Sequence, residues 1–239
     1  MRKQKTGKTV QGKRIVSVCS PMPASGVTMT AAALACVLAE GSSACFAEVG
    51  KPYVFDAYGL GKKFLLSGFT DFFQFYATGQ PFRGPENLWH GVNWAVRPGS
   101  ERPGQYRFTD AADILRFAER LPGTWSVLDC SGLAGDVLEG VLAGSDRTFL
   151  VVDPLPGKLI PATPDLQRLK YAFPGAVLAV NRLNAGIHKG ELDAYLGTSD
   201  YLALPQLDAR TVYQAEYACV LPWDLPEGKK LTASLKKHE

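Results

Sequence analysis

The chain has no run of about 18 uninterrupted apolar residues, the length a membrane-spanning helix needs, so no transmembrane segment is expected. It is also poor in histidine. His90, His188 and His238 lie far apart in sequence, and no metal site is visible. The five cysteines (Cys19, Cys36, Cys45, Cys130 and Cys219) are odd in number and form no C-x-x-C. That argues against a disulfide framework or a zinc site and for buried thiols in a reducing cytosol. A cytoplasmic protein is therefore expected. After the basic start, Ile15–Ser20 is too short for the apolar core of a secretory signal, and Pro21 and Pro23 keep it from extending. The net charge is only +3, too small by itself to imply a nucleic-acid partner. No internal repeat and no low-complexity linker divides the chain, so a single domain is expected over residues 15–224.

The residues that are abundant fit a large α/β domain. Hydrophobic residues make up 46% of the 239, enough for a sizeable core. The basic residues collect at the ends: Arg2, Lys3, Lys5, Lys8, Lys13 and Arg14, then Lys229, Lys230, Lys236 and Lys237. Both blocks, residues 1–14 and 225–239, read as solvated basic tails rather than as patches for DNA or anionic lipid. Between them apolar runs alternate with helical patterns, as in a mostly parallel sheet wrapped by helices. Strands are expected at Ile15–Ser20, Pro52–Asp56, Val92–Val96, Thr124–Asp129, Arg147–Val152, Ala176–Asn181 and Tyr201–Leu204. Helices are expected at Thr28–Ala39, Asp110–Arg120, Asp136–Ala143, Pro164–Tyr171, Lys189–Leu196 and Val212–Ala218. The aromatic segment Leu65–Tyr76 reads as core or as a contact surface.

The most informative stretch is Val16-Ser-Val-Cys-Ser-Pro-Met-Pro-Ala-Ser-Gly-Val-Thr-Met-Thr-Ala-Ala-Ala-Leu-Ala35. A short strand enters a Pro/Ser/Gly turn, and the turn enters an alanine-rich helix, which is the context of a phosphate-binding loop. It resembles the ParA/MinD family of deviant P-loop ATPases, within the SIMIBI class, whose loop reads K-G-G-x-G-K-T-T. On that pattern Met22 stands at the signature lysine and Pro23 and Ala24 replace glycines. Gly26 is kept, Val27 replaces the phosphate-binding lysine and Thr28 keeps the magnesium-binding hydroxyl. Later segments resemble the family in order and spacing. Trp125-Ser-Val-Leu-Asp-Cys-Ser-Gly132 is similar to its second acidic strand, with Asp129 at the magnesium-water position. Ala176-Val-Leu-Ala-Val-Asn-Arg182 is similar to the strand ending in N-R, whose asparagine reads the adenine. Leu204-Pro-Gln-Leu-Asp208 resembles the segment that caps the base. Of the family's D-x-D, Asp56-Ala-Tyr58 retains the first acid and loses the second, which orients the attacking water.

The resemblance implies a nucleotide site formed by Gly26, Val27, Thr28, Met29, Asp56, Asp129, Asn181 and Arg182, with Thr28 and Asp129 on magnesium. The residues themselves imply a degenerate one. Val27 and Met22 carry no charge, Pro23 has no N–H, and Ala24 and Ser25 resist positive φ. Phosphoryl transfer depends on placed positive charge, and losing one such cation costs roughly three to five powers of ten in rate. ATP and magnesium are therefore expected to bind weakly or not at all, and ATPase activity to be absent. Lys62 and Lys63 could supply substitute charge, although a solvated loop explains them as well. Cys130-Ser131-Gly132 has no triad partner and reads as a buried thiol. Within the family the chain is similar to atypical pilus- and secretion-placement members (TadZ/CpaE-like). That implies a bacterial positioning or scaffold protein, homodimeric, with a polar or secretion machinery as partner. An apolar Met22 suits a contact between two copies that needs no nucleotide. The alternatives are a working ATPase with a rearranged lysine, or a DNA-associated partitioning protein.

Overall fold

The computed structural model describes residues 12–66, 68–82, 87–99 and 106–238. In chain order the elements are β1 (Arg14–Cys19), α1 (Val27–Gly41), β2 (Ala44–Glu48), α2 (Val54–Ala57), α3 (Leu60–Lys63), α4 (Phe72–Ala77), β3 (Leu88–Trp89), β4 (Val92–Ala95) and α5 (Ala111–Arg120). They continue with β5 (Trp125–Asp129), α6 (Gly135–Ala143), β6 (Arg147–Val152), α7 (Pro156–Ala172), β7 (Val177–Leu183), α8 (Lys189–Leu196), β8 (Leu202–Pro205), α9 (Ala209–Ala218) and α10 (Lys229–Leu235). The described strands form one eight-stranded sheet in the order β3-β4-β2-β5-β1-β6-β7-β8. Every pair is parallel except β3–β4. Helices cover both faces over two apolar layers, so the central strands are buried throughout and read as continuous apolar runs rather than alternating ones. The expected mostly parallel α/β domain is what the chain forms.

α1 explains its own alanines. It is buried from Ala31 to Leu38 on every side, because α10 packs against its outer face while the sheet holds its inner one. Small side chains let the layers approach closely. The aromatic segment contributes to the core, one of its two expected roles. Phe72 and Phe73 are buried, and Phe73 stacks on Phe117 at 4.8 Å between centroids.

Three expectations are corrected. The second strand is Ala44–Glu48, and Pro52–Asp56 is not a strand: the chain turns there and enters α2. Glu48 causes the turn, since its Oε1 accepts from the backbone N–H groups of Tyr53 (2.8 Å) and Val54 (2.7 Å). Tyr-Val-Phe has high strand propensity, but these two bonds start a helical turn instead. Next, α7 begins at Pro156 rather than Pro164. Pro156 occupies its first turn, and Pro161 and Pro164 lie inside it, each removing one helical bond.

The ends are also more ordered than two solvated tails. Residues 1–11 lie outside the described residues. Lys13, however, donates to the carbonyls of Leu121, Pro122 and Gly123, and burial pushes its pKa down to about 8. Arg14 opens β1 with its guanidinium 5.1 Å from the centre of the Trp125 ring. At the other end, short 3-10 turns lead into α10, whose Leu231 and Leu235 are buried against the α1 side of the core. The lysines of this segment hid its apolar spacing of four, which places Leu231 and Leu235 on one face while Lys229, Lys230 and Lys236 face solvent. Leu231→Ala should therefore destabilise the whole domain by about 2–4 kcal/mol. Equilibrium urea unfolding measures this, and an unchanged midpoint would return the segment to the status of a tail.

Candidate functional site

The C-terminal ends of β5, β1, β6 and β7 lie side by side, and the loop between β1 and α1 crosses above them. In parallel α/β sheets this edge is where ligands bind. A cavity of about 470 Å³ opens at the loop, lined by residues 22–29 together with Lys51, Tyr53, Ser131, Gly132 and Arg182. Of the residues expected at the site, Gly26, Val27, Thr28, Met29 and Arg182 line it. Asn181 and Asp129 lie directly beneath, both buried.

Asp56 does not join them. It sits on α2, where its Oδ2 accepts from the N–H of Gly99 at 2.7 Å. With β2 in its observed place, the strand end facing Asp129 is Glu48. Lys62 and Lys63 are not at the cavity either, and the Lys63 ammonium lies 4.2 Å from the centre of the Trp89 ring. Lys51, which sequence reasoning missed, does line the cavity. Its signal was its place directly after Gly50, visible only once β2 is correctly placed.

The loop is held from below. Gly26 has φ +95°, and a Cβ there would stand 2.1 Å from Asn181 Nδ2, so only glycine fits. That amide donates to the Ser25 carbonyl at 2.7 Å. Arg182 and Lys158 both donate to the Ala24 carbonyl, at 2.8 and 3.1 Å. Both cations also pair with Asp153, whose side chain is fully buried. Although burial opposes it, the Lys158 and Arg182 partners and the Leu155 N–H hold the Asp153 carboxyl below the usual range. Met22 is buried and turned inward, and its Sδ accepts from the Asp153 N–H at 3.2 Å. A residue in that position is not presented to a partner chain, which corrects its expected use as an apolar contact between copies.

Two carboxyl groups stand at the floor. Glu48 and Asp129 are register partners on β2 and β5, both without solvent exposure. Glu48 Oε2 and Asp129 Oδ2 each lack a hydrogen-bond partner. Burial pushes Glu48 up to about 8, against the pull of its backbone donors. Burial also raises Asp129, although the Thr28 and Ser131 hydroxyls and the Ser131 N–H draw it down. Cys130 is an inert thiol, since burial takes its pKa far above the ordinary value. Among the described residues no cluster of three or more His, Cys, Asp or Glu could hold a metal unaided.

The fit to a nucleotide is thus partial. Thr28 and the unpartnered Asp129 Oδ2 suit the water shell of a magnesium ion, while the Asn181 amide nitrogen is engaged by the Ser25 carbonyl. The loop itself brings no cation, and one of its carbonyls already takes two.

Glu48 sets a pH dependence. An acid whose folded pKa is raised binds more protons folded than unfolded between its two pKa values. Stability therefore falls as pH rises from about 4.5 to about 8. Glu48→Gln mimics the protonated carboxyl and should flatten that slope and raise the melting temperature at pH 8 relative to wild type. Thermal melts at pH 5 and 8 check this, and an equal or larger loss in the variant would show Glu48 to be ionised when folded.

No family model matches the chain, and no curated protein matches its sequence. Solved structures do match its fold. A ParA family ATPase from Chlorobium tepidum superposes with a TM-score of 0.70 at 15% identity, covering 95% of this chain and 98% of its own. The septum site-determining protein MinD of Pyrococcus horikoshii, complexed with Mg-ADP, gives 0.65 at 12% identity over 95% of each chain. A putative plasmid partition protein from Borrelia burgdorferi bound to AMPPNP gives 0.67 at 11%, covering 95% of this chain and 97% of its own. The chain thus has the fold of the ParA/MinD P-loop NTPases.

Proposed function

We propose that the chain is a ParA/MinD-like protein whose nucleotide site has lost hydrolysis, and that it serves as a positioning or scaffold protein of the pilus- or secretion-placement type. The observation that carries this reading is the loop. Where the loop should present two lysines, Val27 is buried and Met22 is folded under it against Asp153. Attacking-water chemistry also lacks a placed acid, because Asp56 stands on α2 outside the cavity lining and burial raises Glu48 to about 8. ATP with magnesium would be held weakly, by Thr28, Asp129 and Asn181, with Lys51 and Arg182 as the cations lining the cavity. Nucleic acid is not part of this reading, and no described helix is long and apolar enough to cross a membrane.

A second reading rests on Lys51. It lines the loop cavity from the β2–α2 turn, so it is placed to replace a loop lysine and restore an ATPase. Calorimetry and phosphate release separate the two. The expected outcome is ATP binding no tighter than micromolar and no hydrolysis above the protein-free background. Steady turnover abolished by both Lys51→Ala and Asp129→Ala would establish the ATPase instead.

Pairing would then be independent of nucleotide. The exposed tip of the loop is Pro23 and Ala24, and residues 21–27 carry no charged side chain, so two loops can meet without repulsion. Sedimentation should give a homodimer both with and without ATP. A monomer in both conditions, or a dimer only with ATP, contradicts this.

A further inference from the structure

We propose that Lys158, Arg182 and the Ser25 hydroxyl form a site for a phosphate-type oxyanion, and that the loop's own Ala24 carbonyl fills it in this structure. The loop is thereby latched shut, and Ala24 is the latch. This rests on reading the loop cavity as a degenerate nucleotide site and adds the means by which that site is kept closed. Neither side chain added to it follows from the loop pattern. Ser25 stands at the variable position of K-G-G-x-G-K-T-T, and Lys158 lies in the first turn of α7.

Two cations from different elements converge on one backbone oxygen. Arg182, near the end of β7, donates to the Ala24 carbonyl at 2.8 Å, and Lys158 donates to it at 3.1 Å. Both are positioned by the same buried carboxylate, Asp153. A carbonyl oxygen carries only partial charge, whereas cationic donors make their strongest hydrogen bonds to ionised oxygens. Beside this contact the Ser25 side chain lines the cavity. It is 1% exposed, and its hydroxyl has no hydrogen-bond partner among the described residues. A buried hydroxyl without a partner costs stability, so an acceptor that arrives with a ligand accounts for it.

The backbone shows why the carbonyl stays. Both partners of the contact are non-glycine residues at positive φ, Ala24 at +51° and Arg182 at +59°. With a Cβ present, positive φ allows one small basin, the left-handed one. Turning over the peptide that follows Ala24 carries this residue out of that basin into a region essentially restricted to glycine. The Asn181 amide holds the next carbonyl of the loop, that of Ser25, at 2.7 Å. An oxyanion must therefore displace the Ala24 carbonyl from Arg182 and Lys158 against a steric bar, and the bar is one methyl group.

Calorimetric titration of the full chain with inorganic triphosphate, which carries no base, tests this. Ala24→Gly should bind it about tenfold or more tighter than wild type. In the Ala24→Gly protein, adding Lys158→Met should weaken binding about tenfold and adding Ser25→Ala about threefold, while Lys158→Arg should keep it. The Ser25 amide belongs to the peptide that turns, so its ¹H–¹⁵N resonance should move when Ala24→Gly is titrated. Equal binding by wild type and Ala24→Gly overturns the proposal. So does binding by neither, or binding that Lys158→Met leaves intact while Lys158→Arg is folded and unchanged. Competition by ATP would identify a nucleotide's phosphates as the ligand, and its absence would identify the free anion; both results support the site. Phosphate release from ATP is measured separately, so a failure of the non-hydrolysing reading and a failure of the latch are told apart.

Discussion

Asp153 organises the edge of the sheet on which the loop rests. Its carboxylate has no solvent exposure, yet it stays ionised because Lys158 and Arg182 both reach it. The same two cations then extend to the Ala24 carbonyl, so one buried charge fixes two side chains, and they fix the loop. Removing one partner of a buried pair costs about 3–5 kcal/mol. The two cations are 32% and 38% exposed, so solvent screens part of that here. The Asp153 N–H meets Met22 as well, which ties the other end of the loop to the same residue.

This clamp changes the electrostatics of the whole face. Positive charge is absent from the loop and concentrated around it, on Lys51, Arg97, Lys158 and Arg182. The charge on Lys158 and Arg182 is already matched by Asp153. Beneath lie Glu48 and Asp129, whose burial opposes their ionisation. Two buried acids thus lie under a loop that brings no cation, and the cations stand around it.

Much of this architecture was legible in the residues. The apolar runs at Ile15–Ser20, Thr124–Asp129, Arg147–Val152 and Ala176–Asn181 are buried parallel strands with β-branched side chains, which is why their pattern stood out. Ala44–Glu48 is equally buried but has no β-branched residue, so local propensity favoured Tyr53–Phe55, and tertiary hydrogen bonds to Glu48 decided otherwise. That slip hid Lys51. Gly26, Val27, Thr28 and Met29 lie at the turn and helix start where the pattern put them, because a strand–turn–helix is local. The Asp153 clamp was not visible, since it joins residues 22–24, 153, 158 and 182 that only the fold brings together. The C-terminal helix was missed because its charge pattern, read alone, is that of a solvated end.

That helix has a consequence for how the chain is made. α1 ends at residue 41, and the element that covers its outer face begins at residue 229. A ribosome adding 5–20 residues per second reaches α10 roughly 10–40 s after α1 has been synthesised. During that interval an alanine-, leucine- and valine-lined helix has no outer layer. A helix made late in synthesis therefore closes a layer of the core that is laid down early.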